Sequence, residues 1–234
     1  NTQTCKFRAD YLGGQFWSGP VPISAGETAI EIQVTEQTVA VVQNSQAASE
    51  ITVYLFDENG AYLGIKTITD ENGNVTFELP VGLQFRFRAD ILGSQYFSDI
   101  FTSTSEPQEI TIDSKGGILN LKITKDNASP IPNMNTYLFS ASGRYLGKKY
   151  VTDNNGNTFF DVPEGSYKIR CDYMGYQFWS HEIAVASDIS DTLEIPHQDV
   201  AVTVETRYSG NRKPLSGARA YLFTESGAYQ GVYQ

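Results

Sequence analysis

Cys171 and His181 are the pair in this sequence that could supply a nucleophile and a base, and no third group stands by to orient the imidazole. The two histidines, His181 and His197, fall in one stretch of the chain, and His181 takes the position that Asp99 holds in an earlier, similar stretch. No base recurs. A second candidate chemistry is cation ligation, because TDENGN (Thr69–Asn74) and TDNNGN (Thr152–Asn157) alternate oxygen side chains as calcium loops do. These loops are too short for that, and of the points after Asp70 and Asp153 where a calcium loop closes on a glutamate, one holds Val81 and only the other, Glu164, matches. Asn72-Gly73 and Asn155-Gly156 are therefore read as hairpin turns, where glycine accepts a positive φ. With no phosphate loop of the GxxxxGK type either, no enzyme, metal site or cofactor is expected. The remaining charged motif is Arg-x-Asp, at Arg8/Asp10, Arg88/Asp90 and Arg170/Asp172. Both side chains fall on the outer face of one strand and read as a cross-strand or interdomain ion pair, contributing at most about 1 kcal/mol.

What positions these residues is a repeat. YLFDENGAYLG at Tyr54–Gly64 returns as YLFSASGRYLG at Tyr137–Gly147 and as YLFTESGAYQG at Tyr221–Gly231, at steps of 83 and 84 residues. The Thr-Asp motif recurs at a step of 83, and a third motif appears as FRADYLGGQFWS from Phe7, FRADILGSQYFS from Phe87 and IRCDYMGYQFWS from Ile169. One fixed period marks an array, of units about as large as an all-β sandwich. The motif order divides the chain into the C-terminal part of a unit (1–37), complete units at 38–116 and 117–199, and the N-terminal part of another (200–234). A segment of a longer array is expected; the alternative is half-units that complete each other between molecules by strand donation.

Within a unit, short alternating segments are bounded by Ser-Gly and Asn-Gly turns, giving about seven strands and no helical pattern. The expected fold is all-β: tandem immunoglobulin-like, seven-strand β-sandwiches. In FRFRADI, Phe85, Phe87, Ala89 and Ile91 point to the core, and Arg86, Arg88 and Asp90 point away from it. Cys5 aligns with Phe85 and Cys171 with Ala89, so both cysteines are expected to be buried, inert thiols rather than nucleophiles or disulfide partners.

Composition excludes several classes. Twenty-seven acidic residues against 17 basic ones give a net charge of −10, which opposes binding to nucleic acid or to an anionic membrane surface. No stretch is apolar for long enough to span a membrane as a helix.

The order strand, Pro-Leu-x-Gly-Ala (Pro214–Ala218), strand, Gly, Thr-Asp-x-x-Gly, aromatic strand, Pro-x-Gly-x-Tyr (Pro163–Tyr167) resembles the transthyretin-like sandwich. That sandwich is shared by carboxypeptidase regulatory-like domains and collagen-adhesin B-type repeats of large bacterial surface proteins. The resemblance implies non-catalytic spacer or stalk modules on an extracellular or cell-surface protein. The first complete unit departs from it, with Ala47 where the others carry Pro130 and Pro214. Some of those adhesins cross-link lysine to asparagine; Lys122 is the one first-strand candidate, its counterparts VAVVQ and VAVTV have none, and the bond is not carried over.

The informative residues are aromatic. If Leu55 faces inward, Tyr54 and Phe56 face outward, and likewise Tyr137/Phe139 and Tyr221/Phe223; Tyr62, Tyr145 and Tyr229, with the series Trp17, Phe97 and Trp179, extend that surface. These twelve residues are the candidate interface, facing neighbouring repeats or identical chains in a fibre. A carbohydrate-binding or adhesin module that stacks glycans on Trp17 and Trp179 is the second candidate.

Overall fold

The computed structural model describes residues 3–24, 26–126, 128–198 and 200–233, and its secondary structure among them is all β. Two compact units emerge, Asn1–Gly117 with Asp161–Gly165, and Ile118–Phe160 with Ser166–Gln234.

In the first unit a long strand, Val34–Gln43, forms the centre of one sheet. It pairs antiparallel with Asn74–Pro80 and parallel with Glu109–Asp113. The facing sheet runs in the order Ser94–Phe97, Gln84–Ile91, Thr52–Asp57, Tyr62–Ile68, all antiparallel, with the short Phe101–Thr102 strand extending its edge. These seven main strands make the expected two-sheet sandwich. The second unit repeats the plan: Gly117–Lys125 is parallel to Ile189–Glu194, and the facing sheet is built from Tyr145–Val151, Asn135–Ser140, Gly165–Tyr173 and Tyr176–Trp179.

The core follows the period-two rows. Val39, Val41, Val53, Leu55, Leu79, Phe85, Phe87 and Ala89 have no exposed surface in the first unit, nor have Leu119, Ile123, Leu138, Ile169 and Cys171 in the second. Each large member contributes roughly 1.5–3 kcal/mol through burial. Two recurring hydroxyls latch the loops around this core. Thr69 Oγ1 accepts from the Ile51 amide at 3.0 Å and donates to the Ala48 carbonyl at 2.7 Å; Thr152 does the same with Met134 N and Ile131 O, at 2.9 and 2.8 Å. The serine that ends the third motif is the other latch: Ser18, Ser98 and Ser180 each accept from the backbone amide of Phe7, Phe87 and Ile169, and each donates to the next residue's carbonyl.

Cys5 departs from expectation. It is exposed, on the two-residue strand Thr4–Cys5 that among the described residues pairs only with Val21–Pro22, and its row-mates Phe7 and Tyr11 are exposed too. The strand Arg8–Tyr11 pairs with Gly14–Trp17 alone, so among the described residues no second sheet covers the row that is core-facing elsewhere.

Candidate functional site

The hairpin Thr52–Asp57/Tyr62–Ile68 sets the geometry of the aromatic residues. Its turn is closed by Asp57, whose Oδ1 accepts from the amides of Asn59 and Ala61 at 3.0 and 2.7 Å. Ser140 and Thr224 take the same position in the later copies, their hydroxyls accepting from the amides of Arg144 and Ala228. Past the turn Phe56 pairs with Tyr62 and Tyr54 with Lys66, a bulge lying between the two pairs. On the other side Tyr54 lies opposite Arg88, and Arg88 in turn lies opposite Phe97. One cross-strand row on the outer face thus reads Phe97, Arg88, Tyr54, Lys66.

The side chains close into a ridge. Tyr62 lies 5.9 Å from Tyr54 and 5.5 Å from Phe56 between ring centroids, and Phe56 lies 6.2 Å from Phe97. The Arg88 guanidinium sits 4.4 Å from the Tyr54 ring and 5.2 Å from Phe56, and Arg86 sits 4.2 Å from Phe97. In the second unit Tyr137–Tyr145, Phe139–Tyr145 and Phe139–Trp179 stand at 6.2, 5.4 and 4.7 Å, with Arg170 at 4.5, 5.4 and 6.0 Å from Tyr137, Phe139 and Trp179. In the third copy Tyr229 contacts Tyr221 and Phe223 at 6.0 and 5.4 Å. Trp17 stands with Arg8, at 5.8 Å.

The arginine explains the recurring Arg-x-Asp, and the explanation differs from a cross-strand or interdomain pair. Arg88 Nε and one terminal nitrogen grip both oxygens of Asp90, two residues along the same strand, at 2.8 and 3.1 Å. Arg170–Asp172 and Arg8–Asp10 repeat the fork at 2.9–3.2 Å. A strand puts residues i and i+2 on one face, so the carboxylate holds the guanidinium flat where the rings can cover it. The i, i+2 spacing beside a Tyr-x-Phe strand is the signal in the sequence that carries this arrangement.

Exposure sorts the candidate residues into two groups. Phe56 and Phe139 lie on the outer face yet are only 9% and 8% exposed, covered by the ridge itself rather than left for a neighbour. Tyr62, Phe97, Tyr145 and Trp179 keep 41–46% of their surface. Phe223, with no counterpart of Phe97 or Trp179 beside it among the described residues, is 52% exposed. The second unit adds a pair that the repeat does not announce: Tyr150 stacks on Phe159 at 5.8 Å, both exposed.

The residues considered for chemistry are occupied elsewhere. Asp70 Oδ1 accepts from the amides of Asn72 and Asn74, and Asp153 Oδ1 from those of Asn155 and Asn157, so each carboxylate organises its own turn. Those turn bonds hold the Asp153 carboxyl below its ordinary range. Burial, and after it the Asp172 charge, pushes the Cys171 thiol up to about 12. His181 pairs with Asp191 at 3.2 Å and His197 with Asp126 at 3.5 Å. Among the described residues, no group of three or more His, Cys, Asp or Glu is arranged to hold a metal ion.

No protein-family model matches the chain, and no curated protein matches it. Among solved structures it is similar to the Bacillus anthracis TIE protein, at 17% identity and a TM-score of 0.34 over 82% of this chain; the chain spans 41% of that protein's length. It is also similar to GBS52, the minor pilin of the Gram-positive pathogen Streptococcus agalactiae, at 12% identity and a TM-score of 0.38, covering 74% of this chain and 99% of the other. The shaft pilin SpaA of Lactobacillus rhamnosus GG gives 7% identity and a TM-score of 0.39, covering 73% of this chain and all of the other. With superpositions this loose, no residue role or activity is carried across.

Proposed function

We propose that the chain is a non-catalytic structural segment of tandem β-sandwich repeats, with units at 38–116 and 117–199, that builds an extracellular stalk or filament. The exposed rims of its aromatic ridges are the contact surface for neighbouring repeats or identical chains. The observation that carries this reading is the ridge: the same aromatic hairpin recurs three times, and an arginine fork three times, while no set of catalytic residues recurs. Two further features support it. First and last strands of each complete repeat are parallel, so the chain enters at one end of that strand pair and leaves at the other, as an in-line array requires. The surface rims are also large aromatic side chains, which contribute most when an interface buries them.

Electron microscopy of the purified protein tests the proposal, with stiff rods or filaments expected. Substituting Tyr62, Tyr145 and Tyr229 together by Ser should disperse them. Flexible, dispersed monomers in the unaltered protein would overturn the stalk reading, and glycan capture lost on Trp179→Ala would replace it with an adhesin.

A further inference from the structure

The third motif ends in a hairpin whose tip has an unusual composition. Leu12-Gly13, Leu92-Gly93 and Met174-Gly175 have paired positive φ angles of 47° and 82°, 46° and 81°, and 48° and 78°. Such a two-residue turn suits Asn, Asp or Gly at its first position; a leucine or methionine there is held in a conformation that its side chain disfavours. Leu92 rests on the core of its own repeat. Leu12 packs against that same core, the one formed by residues 39–112, although it lies upstream of that repeat.

The neighbouring glycines show what the tip touches. A Cβ at Gly13 would lie 3.9 Å from the Asp57 Cβ and 3.9 Å from the Leu63 Cδ2, and Gly14 is buried, with a Cβ there reaching within 2.5 Å of Leu83 Cδ1. In the second unit a Cβ at Gly175 would lie 3.1 Å from the Gln230 Oε1 and 3.2 Å from the Thr224 Cγ2. Thr224 and Gln230 are the third-copy equivalents of Asp57 and Leu63. The same tip therefore meets the same two points of the following aromatic hairpin at both places.

We infer that the Leu12-Gly13 and Met174-Gly175 tips are joints of the array: each seats on the Tyr-Leu-Phe hairpin that follows it and fixes the angle between the two. The inference rests on the array reading above. Glycine at the second position supplies the positive φ the turn needs, and the apolar first residue seals the contact with the hairpin where asparagine would leave a relaxed but solvated turn. The joint is distinct from the aromatic ridge, which lies on the sheet's outer face.

The test uses the full chain with spin labels on the exposed native Cys5 and on Glu58→Cys; the buried Cys171 stays unlabelled. A single narrow distance distribution is expected, and Leu12→Asn should lose that single peak while Leu12→Met keeps it. Asparagine favours this turn, so a lost peak cannot come from a failed hairpin. A broad distribution in the otherwise unaltered protein, or a narrow one that survives Leu12→Asn, overturns the joint. The array reading fails separately: a narrow peak in protein that forms no rods leaves the joint and removes the stalk, and a broad peak in rod-forming protein does the reverse.

Discussion

Replacing Arg170 by methionine keeps the aliphatic stem that packs under the rings and removes only the charge. Its guanidinium lies 4.5 Å from Tyr137 and 5.4 Å from Phe139, with Trp179 at 6.0 Å. The first two contacts contribute about 0.5–1 kcal/mol each, and the third is at the edge of the range. The fork to Asp172 joins side chains that are 21% and 36% exposed, so screening holds it to about 1 kcal/mol or less. The loss should therefore be about 2 kcal/mol, which for a domain of this size lowers the melting temperature by roughly 10 °C. Asp172→Asn removes the ion pair but leaves the rings covering the arginine, and should cost less than half as much. Denaturant unfolding followed by Trp179 fluorescence in a Trp17→Phe background reads both, and the double variant measures their coupling. If Arg170→Met and Asp172→Asn cost the same, or both lie within about 0.5 kcal/mol of the parent, the arginine does not organise the ridge.

Thr152→Val is nearly isosteric but leaves the Met134 amide and the Ile131 carbonyl without their partner, which should cost about 2–4 kcal/mol and speed hydrogen exchange at Met134. Gly156→Ala and Gly143→Ala share a positive φ of 76° and 86°, but only the first drives a Cβ to 2.5 Å from a backbone oxygen, that of Ile123. Urea melts should show Gly143→Ala costing about 1 kcal/mol and Gly156→Ala well beyond that. For Cys171 the folded-state thiol value is raised from the ordinary 9.0 to about 12, so stability present at lower pH is lost as pH rises through that interval. Between about pH 8 and pH 11 the parent should lose stability relative to Cys171→Ala, the tyrosine titrations cancelling in the difference. At neutral pH a thiol reagent should modify Cys5 alone.

Alternation makes the two-sheet core legible in the sequence, because Phe85, Phe87, Ala89 and Ile91 occupy one row and all are buried. Asn-Gly likewise marks the turns at Gly73 and Gly156. Direction is not legible: a period-two pattern is the same for either sense, so the parallel pairing of Val34–Gln43 with Glu109–Asp113 appears only in the structure. Nor does alternation report how far a face is covered. It places Phe56 outward correctly, but the covering comes from Tyr62, Phe97 and Arg88, on three other strands. Cys5 shows the converse limit, since a core-facing row is buried only where a second sheet lies over it.

The three copies of this strand show where the sequence is held fixed. Along its core row the aligned residues change: Cys5, Phe85 and Tyr167; Phe7, Phe87 and Ile169; Ala9, Ala89 and Cys171; Tyr11, Ile91 and Tyr173. On the outer row Lys6, Arg86 and Lys168 change, whereas Arg8, Arg88 and Arg170 are identical, as are Asp10, Asp90 and Asp172. A sandwich needs a particular shape inside and only polarity outside, so copies preserved for folding alone should vary in the opposite sense. Recent duplication cannot account for the identity either, because it would have spared the core row as well. The Arg-x-Asp pair is therefore constrained by the ridge, whose buried half the Arg170 variants measure through stability and whose exposed rim the tyrosine-to-serine variants measure through assembly. Stability lost without loss of rods would confine the constraint to the repeat itself. Rods lost at unchanged stability would place it between repeats, where the proposed function puts it.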